Sequence, residues 1–343
     1  MTDSQPILIV GLPRSGTTWV GEVFSSAHNT RYIFEPDNEG LSPLAWLYKK
    51  DIHRFPYLTS KDKSVGYHQL WRTVLSGRTW TWPANNLLGL FFRRRAAELE
   101  AYVGDKSGLI YVDREMRRVG GTRVKAYCVE EHAIFAFLVR QLLVNENPTR
   151  LNRRLVIKSV HASLSMDWIS RHFPVEMVVV LRNPYSLYTS YKRMKMPDRF
   201  RNLLLQEKLQ RDIVETLPDL ERVLIPEQES HIAFQIMLMY KIIEKHIMLH
   251  PEWTLISHDR LCLAPQDGYN QIFSKLNLNW SAWTEQKINE LNKEGKGFKP
   301  KRVSNLEPLK WKSELTVEER KMIDRWIDIF GLSEFFREYI NIE

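Results

Sequence analysis

Residues 7–20 read ILIVGLPRSGTTWV: an apolar run, a turn of small residues carrying one cation, and the start of an amphipathic helix. Ile7, Leu8, Ile9 and Val10 follow one another without polar alternation, which predicts a strand buried on both faces, as in a parallel sheet. In the turn, Gly11 and Gly16 bracket Arg14 and Ser15, and Thr17 and Thr18 open the helix. Such a turn aims backbone N–H groups and a helix N-terminus at an anion, while Arg14 adds a formal charge and Ser15, Thr17 and Thr18 add hydroxyl donors. The two glycines have the spacing of a Walker A loop, but Thr17-Thr18 stands where Lys-Ser/Thr should follow. The stretch therefore predicts a loop that holds phosphate or sulfate, and it argues against an ordinary NTPase.

Working outward, four further β-branched runs, 32–34, 155–157, 177–181 and 253–256, predict strands. Helical patterns at 17–27, 131–144, 162–173, 185–195, 230–250 and 317–330 alternate with them. The expected architecture is α/β: a P-loop-like central parallel sheet of about five strands, flanked by helices, in a single domain over 1–343. Between the second and third runs lie about 120 residues, far more than a crossover needs. The segment 41–150 is therefore expected to be a basic, mostly helical insertion over the C-terminal edge of the sheet, where open α/β sheets take their ligands.

Hydrophobic residues at 43% and charged residues at 26% fit a folded globular chain and exclude a disordered or collagenous one. The net charge of +8 is concentrated: 41–150 holds 18 basic and 10 acidic side chains, and the rest of the chain is balanced. That potential steers anions without choosing among nucleotides, sulfated sugars and nucleic acids. Cys128 and Cys262 form neither a C-x-x-C pair nor a metal-ligand cluster, so a reducing compartment is expected. The N-terminal apolar run is too short for a signal peptide, and no run reaches the roughly 18 residues of a membrane span. A cytoplasmic protein is the resulting expectation.

A second motif lies at 178–191, VVVLRNPYSLYTSY. Arg182 leaves the end of a strand, Pro184 fits the first turn of the next helix, and Ser190 lies two turns in, where its hydroxyl can face the same crevice. A guanidinium and a hydroxyl so arranged suit one phosphate.

Here the chain resembles the PAPS-dependent sulfotransferases, including their carbohydrate-type members. PRSGTTWV is similar to their phosphosulfate-binding loop, with Arg14 where cytosolic members carry lysine. Arg182 and Ser190 have the eight-residue spacing of the pair that grips the 3′-phosphate of the nucleotide. The resemblance implies a sulfonate donor, 3′-phosphoadenosine 5′-phosphosulfate (PAPS), bound by Arg14, Ser15, Gly16, Thr17, Thr18, Arg182 and Ser190, with Trp19 where the family stacks an aromatic on adenine. It also implies contacts from Lys301 and Arg302, in a Lys/Gly-rich loop, to the 3′-phosphate.

An acceptor hydroxyl must lose its proton as it attacks sulfur, so a carboxylate at a strand end is a sensible general base. Glu35, in FEP at 34–36, resembles a carbohydrate-sulfotransferase step and is the first candidate. His161 follows Lys158 by three positions, where cytosolic relatives have a histidine two positions after a lysine, and it is the alternative base. Sulfuryl transfer needs positioning and charge stabilisation more than covalent catalysis, which assigns Arg14 and Lys158 to the leaving and transferring oxygens. No metal is expected, and Asp37 and Glu39 read as solvated acids. Trp46, Trp71, Trp80 and Trp82 suit a sugar or other polar ring as the acceptor. Two other readings compete: a small-molecule kinase with a deviant phosphate loop, which would need magnesium, and a basic nucleic-acid- or glycan-binding module using Arg93, Arg94, Arg95, Arg114, Arg117 and Arg118. The expected partner is a small-molecule or carbohydrate acceptor rather than nucleic acid.

Overall fold

Side chains of the first strand, β1 (Ile7–Gly11), divide alternately between two cores, as the period of two in a strand dictates. Leu8 and Val10 join one apolar cluster, while Ile7 and Ile9 join another. A computed structural model describes residues 5–39, 41–49, 52–78, 153–196, 199–217, 230–293 and 303–340. Among these, β1 is joined by β2 (Thr30–Phe34), β3 (Arg154–Lys158), β4 (Glu176–Leu181) and β5 (Thr254–Ser257) in the order β2-β3-β1-β4-β5. Every neighbouring pair is parallel. The expected α/β sheet is present, each strand within two residues of its predicted bounds.

One face of the sheet, carrying Leu155, Ile157, Val179 and Leu181, is covered by α4 (Met166–His172), α5 (Pro184–Arg193), the long α6 (His231–Leu249) and α10 (Val317–Ile329). The other, carrying Val156, Val178, Val180 and Ile256, is covered by α1 (Thr17–Phe24), α8 (Pro265–Lys275) and α9 (Ala282–Leu291). Between β5 and α8 lies the short α7 (His258–Leu263). Each fully buried aliphatic side chain contributes about 1.5–3 kcal/mol.

Two helices fall short of the predicted pattern by three residues or more at one end, both because serines compete for backbone groups. α1 stops at Phe24, where the hydroxyls of Ser25 and Ser26 turn back onto the carbonyls of Glu22 and Val23. The pattern at 162–173 begins as a 3₁₀ turn, His161–Leu164, because Ser159 Oγ accepts the amides of His161 and Ala162 at 3.1 and 3.2 Å; α4 begins only at Met166.

Residues 41–78 are not an appendage. α2 (Pro43–Tyr48) and α3 (Val65–Leu75) deliver Leu44, Ala45, Tyr67, Leu70, Trp71 and Val74 to the cluster that holds Leu8 and Val10. Trp71 is fully buried there, which removes it as a stacking surface for a ligand. Residues 79–152, with the expected helix 131–144 and Arg93, Arg94, Arg95, Arg114, Arg117 and Arg118, lie outside the described residues, as do the side chains of Trp46, Trp80 and Trp82. No helix among the described residues is long and apolar enough to cross a membrane.

The connection from β1 runs to β2 on one side, whereas β3 connects to β4 across β1. The carboxyl end of β1 is therefore a switch point, where an open α/β sheet leaves a crevice.

Candidate functional site

A cavity of about 350 Å³ opens at the carboxyl ends of the strands. The segment after β1 contributes Pro13, Arg14, Gly16, Thr17, Thr18 and Trp19; β2 and its end contribute Phe34 and Glu35; β3 and its end contribute Lys158 and His161; Arg182 follows β4 and His258 follows β5. All five strands thus send a residue to one place.

The β1–α1 loop is held in a conformation that L-residues rarely adopt. Arg14 has φ 71° and Gly16 φ 98°. A left-handed non-glycine residue costs about 1–2 kcal/mol, and here the surrounding bonds hold it: Ser15 N donates to Leu12 O at 3.0 Å, and Arg182 NH1 donates to Arg14 O at 2.9 Å. Gly16 is required twice over, because a Cβ built there would lie 2.1 Å from Cδ2 of His258. Gly16 caps α1, with no side chain bonded to the cap and no acid in the first turn. The first-turn amides therefore border the cavity with their partial positive charge uncompensated by a neighbouring side chain.

Arg14 Nε donates to Ser190 Oγ at 3.1 Å, so the two predicted motifs meet. Ser15 and Ser190, however, are buried and do not line the cavity as expected. Ser15 lies inside the loop, and Ser190 lies behind the Arg14 guanidinium. Trp19 is only 6% exposed and packs edge-on against His258 and Tyr269, so it is chiefly a core residue with one edge on the cavity. Lys301 and Arg302 fall outside the described residues.

Opposite the loop, the Lys158 ammonium pairs with Glu35 Oε1, and both side chains are buried. Glu35 Oε2 accepts the Val160 amide at 3.2 Å and lies 3.4 Å from His161 Nδ1. Burial alone would push the Glu35 carboxyl up, but Lys158 and His161 outweigh it and bring its pKa down to about 2. Glu35 is also left-handed, with φ 47°. Backbone strain of this kind clusters at functional sites. Arg54 Nε donates to His161 Nε2 at 3.0 Å. A guanidinium only donates, so the neutral ring carries its proton on Nδ1, facing Glu35. Burial is the main cause that lowers the His161 pKa, and Arg54 adds to it, which keeps the ring neutral.

Asp37 and Glu39 are not the solvated acids the sequence suggested. Asp37 is fully buried and accepts from Ser159 Oγ and, at 3.0 Å, from Tyr67 OH. Glu39 pairs with Lys49 at 2.8 Å. Glu35, Asp37 and His161 each offer a potential metal-ligand atom within 4.8 Å of one another, a grouping invisible in the spacing of the sequence. In this structure the cation beside Glu35 is Lys158.

Sequence reasoning missed Arg54, His258 and Glu307, all of which line the cavity. His258 had a usable signal, since it follows the fifth strand as the other site residues follow theirs. Arg54 and Glu307 had none, lying in segments without strand or helix periodicity. Among the described residues, the cavity carries Arg14, Arg54, Lys158, Arg182, Arg193 and Arg199 against only Glu35 and Glu307. It is built for an anionic ligand.

Solved structures similar to this one include sulfotransferase STF9 from Mycobacterium avium, at 12% identity and TM-score 0.41, covering 96% of this chain and 77% of that one. The sulfotransferase domain from the curacin biosynthetic pathway gives 13%, TM-score 0.42, and 94% and 97% coverage. The sulfotransferase domain from the Synechococcus PCC 7002 olefin synthase gives 12%, TM-score 0.41, and 96% and 97%. No curated protein matches the chain. The sequence profile of the Sulfotransferase family matches residues 6–282. That match runs from β1 past β5 and takes in every strand end that meets the cavity, and on its strength the chain belongs to the sulfotransferase family.

Proposed function

We propose that the chain moves the sulfonate of PAPS to an acceptor hydroxyl and releases adenosine 3′,5′-bisphosphate (PAP). The observation that carries this reading is the union of two anion-holding elements, with Arg182 bonded to the Arg14 carbonyl at 2.9 Å and Arg14 to Ser190 at 3.1 Å. The residues fit the donor: a glycine cradle at Gly16, a helix N-terminus with no side-chain cap, and a buried Arg182 whose Nε has no hydrogen-bond partner. Bound there, PAPS supplies the sulfonate, with PAP as its leaving group.

In this reading the α1 N-terminus, Arg14, Thr17 and Thr18 hold the 5′-phosphosulfate, and Arg182 holds the 3′-phosphate. Ser15 and Ser190 support the loop from behind. Trp19 meets the adenine by its exposed edge, and Lys301 and Arg302 are assigned on resemblance alone. Arg14 and Lys158 neutralise the oxygens on which charge develops, so the site's own cations do what a metal would otherwise do.

Glu35 takes the acceptor proton. Its low pKa keeps it ionised, and Lys158 is what makes it a weak base at rest. When the ammonium turns to the sulfonate oxygens, Glu35 loses the charge that holds its pKa down and becomes basic at the moment a proton must leave. His161, whose Nε2 is engaged by Arg54, orients Glu35 instead of serving as the base. Phe34 beside Lys158, Phe55 against His161, and Arg199 over Phe55 flank this pair and suit a polar ring, from a small molecule or a carbohydrate, as the acceptor.

Thermal unfolding in EDTA with PAP, and separately with ATP plus magnesium, tests the donor. A ligand at 100 times its Kd adds about 2.7 kcal/mol. Stabilisation by PAP without metal is expected. A response to ATP and magnesium alone would support the kinase reading and refute this one.

A further inference from the structure

The Arg182 guanidinium already holds an anion of the chain's own. Its NH2 donates to Glu307 Oε2 at 3.1 Å, and Glu307 is 6% exposed. Asp259 also lies near Arg182 without bonding to it: its Oδ2 accepts the Asn183 amide at 2.8 Å, and its buried Oδ1 has no hydrogen-bond partner. The second oxygen of Glu307 lies 3.7 Å from Nζ of Lys310, a residue that is 44% exposed.

We propose that Glu307 is an internal counter-anion that occupies the phosphate position on Arg182 in the empty protein, sets the affinity for the donor, and leaves to Lys310 when a 3′-phosphate arrives. The inference rests on the assignment of Arg182 to the 3′-phosphate made above.

A phosphate dianion and a carboxylate cannot share one buried guanidinium, because like charges within hydrogen-bond reach repel strongly where water does not screen them. Leaving Arg182 unpaired is equally unfavourable, since a buried charge stripped of its partner costs several kcal/mol. The empty site therefore needs an anion that withdraws when the ligand enters. Glu307 meets both conditions, with one oxygen on the buried cation and the other near a cation at the surface, so that rotation of its side chain exchanges partners without exposing a bare charge. Specificity follows as well. A nucleotide without a 3′-phosphate has nothing to offer Arg182 in exchange and leaves Glu307 in place.

The experiment is calorimetric titration of the full chain with PAP and with 5′-AMP, for the wild type, Glu307→Gln, Lys310→Met and the double variant. Glu307→Gln is expected to tighten PAP by about tenfold and leave AMP unchanged, because it removes the competing charge only at the 3′ position. Lys310→Met, at an exposed site that does not threaten folding, is expected to weaken PAP by about threefold when Glu307 is present and to have no effect in the Glu307→Gln background, as coupling through Glu307 requires. An unchanged or weaker PAP affinity in Glu307→Gln, with the wild type still preferring PAP to AMP, overturns the counter-anion while the donor assignment stands. Equal tightening of both nucleotides also overturns it, as does a Lys310→Met effect that persists without Glu307. If no variant distinguishes PAP from AMP, Arg182 does not read a 3′-phosphate, and both proposals fail together.

Discussion

Replacing Glu35 by glutamine tests the arrangement at the heart of the cavity. In the folded protein its carboxyl is held at a pKa of about 2 against an ordinary value of 4.5. Burial opposes ionisation, and Lys158 and His161 overcome it. A pKa lowered by folding means that the unfolded chain binds the extra proton in this interval, so acid favours unfolding. The contribution is complete above about pH 5, falls away as pH drops toward 2, and amounts to about 3 kcal/mol. Urea unfolding at pH 7, and at steps from pH 6 to 3, should show the wild type losing about 2 kcal/mol more stability to acid by pH 3 than Glu35→Gln does, the remainder being lost only below that pH. Other buried acids contribute to both curves and cancel in the difference. At pH 7 the single variant should be about 3–5 kcal/mol less stable, because Lys158 is left buried without its partner, and Glu35→Gln with Lys158→Met should recover most of the loss. A single variant no less stable than the double one, or an acid loss identical to wild type, would refute the buried-pair argument.

Three further outcomes follow from the same geometry. Glu35→Gln should bind PAP normally but slow sulfonate transfer by about 10² to 10⁴, whereas His161→Gln should have a smaller effect; the reverse ranking in steady-state assays would make His161 the base. Gly16→Ala should lower the melting temperature and abolish the PAP-induced shift, since φ 98° and a Cβ 2.1 Å from His258 leave it no unstrained placement; a wild-type melting curve with intact PAP binding contradicts the loop geometry. Chelation should leave turnover unchanged, because Lys158 already neutralises Glu35 within the group it forms with Asp37 and His161; activity lost in EDTA and restored by a divalent ion would make that group a metal site.

What the sequence disclosed depended on whether a feature was local. The run 7–20 is one strand, one turn and one helix start, each fixed by neighbours a few residues away, so its structure was legible, and with it the placing of Arg14, Thr17 and Thr18 on the cavity. The same holds for Arg182, Asn183 and Pro184, where the Asn183 side chain caps α5 and the proline occupies its first turn. Ser190 illustrates the limit: helical spacing put it on the side facing the loop, but only the tertiary structure shows that it meets Arg14 and stops short of the cavity. Asp37 was misread because its burial depends on Tyr67, thirty positions away, and on Ser159 beyond the long insertion. Trp71 was misread for the same kind of reason, as a surface aromatic in a basic segment where the fold makes it a core residue. Arg54 and Glu307 act through partners more than a hundred positions distant, and no periodicity announces such pairs.

Those long-range pairs share a physical origin. A cavity that must bind anions out of water needs buried cations, and a buried cation is costly unless something negative stands beside it. Before a ligand enters, that something has to come from the chain, and two of the cavity's cations have a buried carboxylate: Lys158 has Glu35, and Arg182 has Glu307. On the function proposed above, the two carboxylates then part in role. Glu35 is held by Val160 N–H and faced by His161, so when Lys158 turns to the sulfonate the carboxylate remains fixed, unpaired and basic, which is the condition for accepting a proton. Glu307 has Lys310 close to its free oxygen, so when Arg182 is claimed the carboxylate can withdraw without becoming a base. Whether a counter-anion is anchored or free to leave thus separates a residue suited to chemistry from one suited to controlling affinity, and in this fold the distinction follows from what each carboxylate touches on its second oxygen.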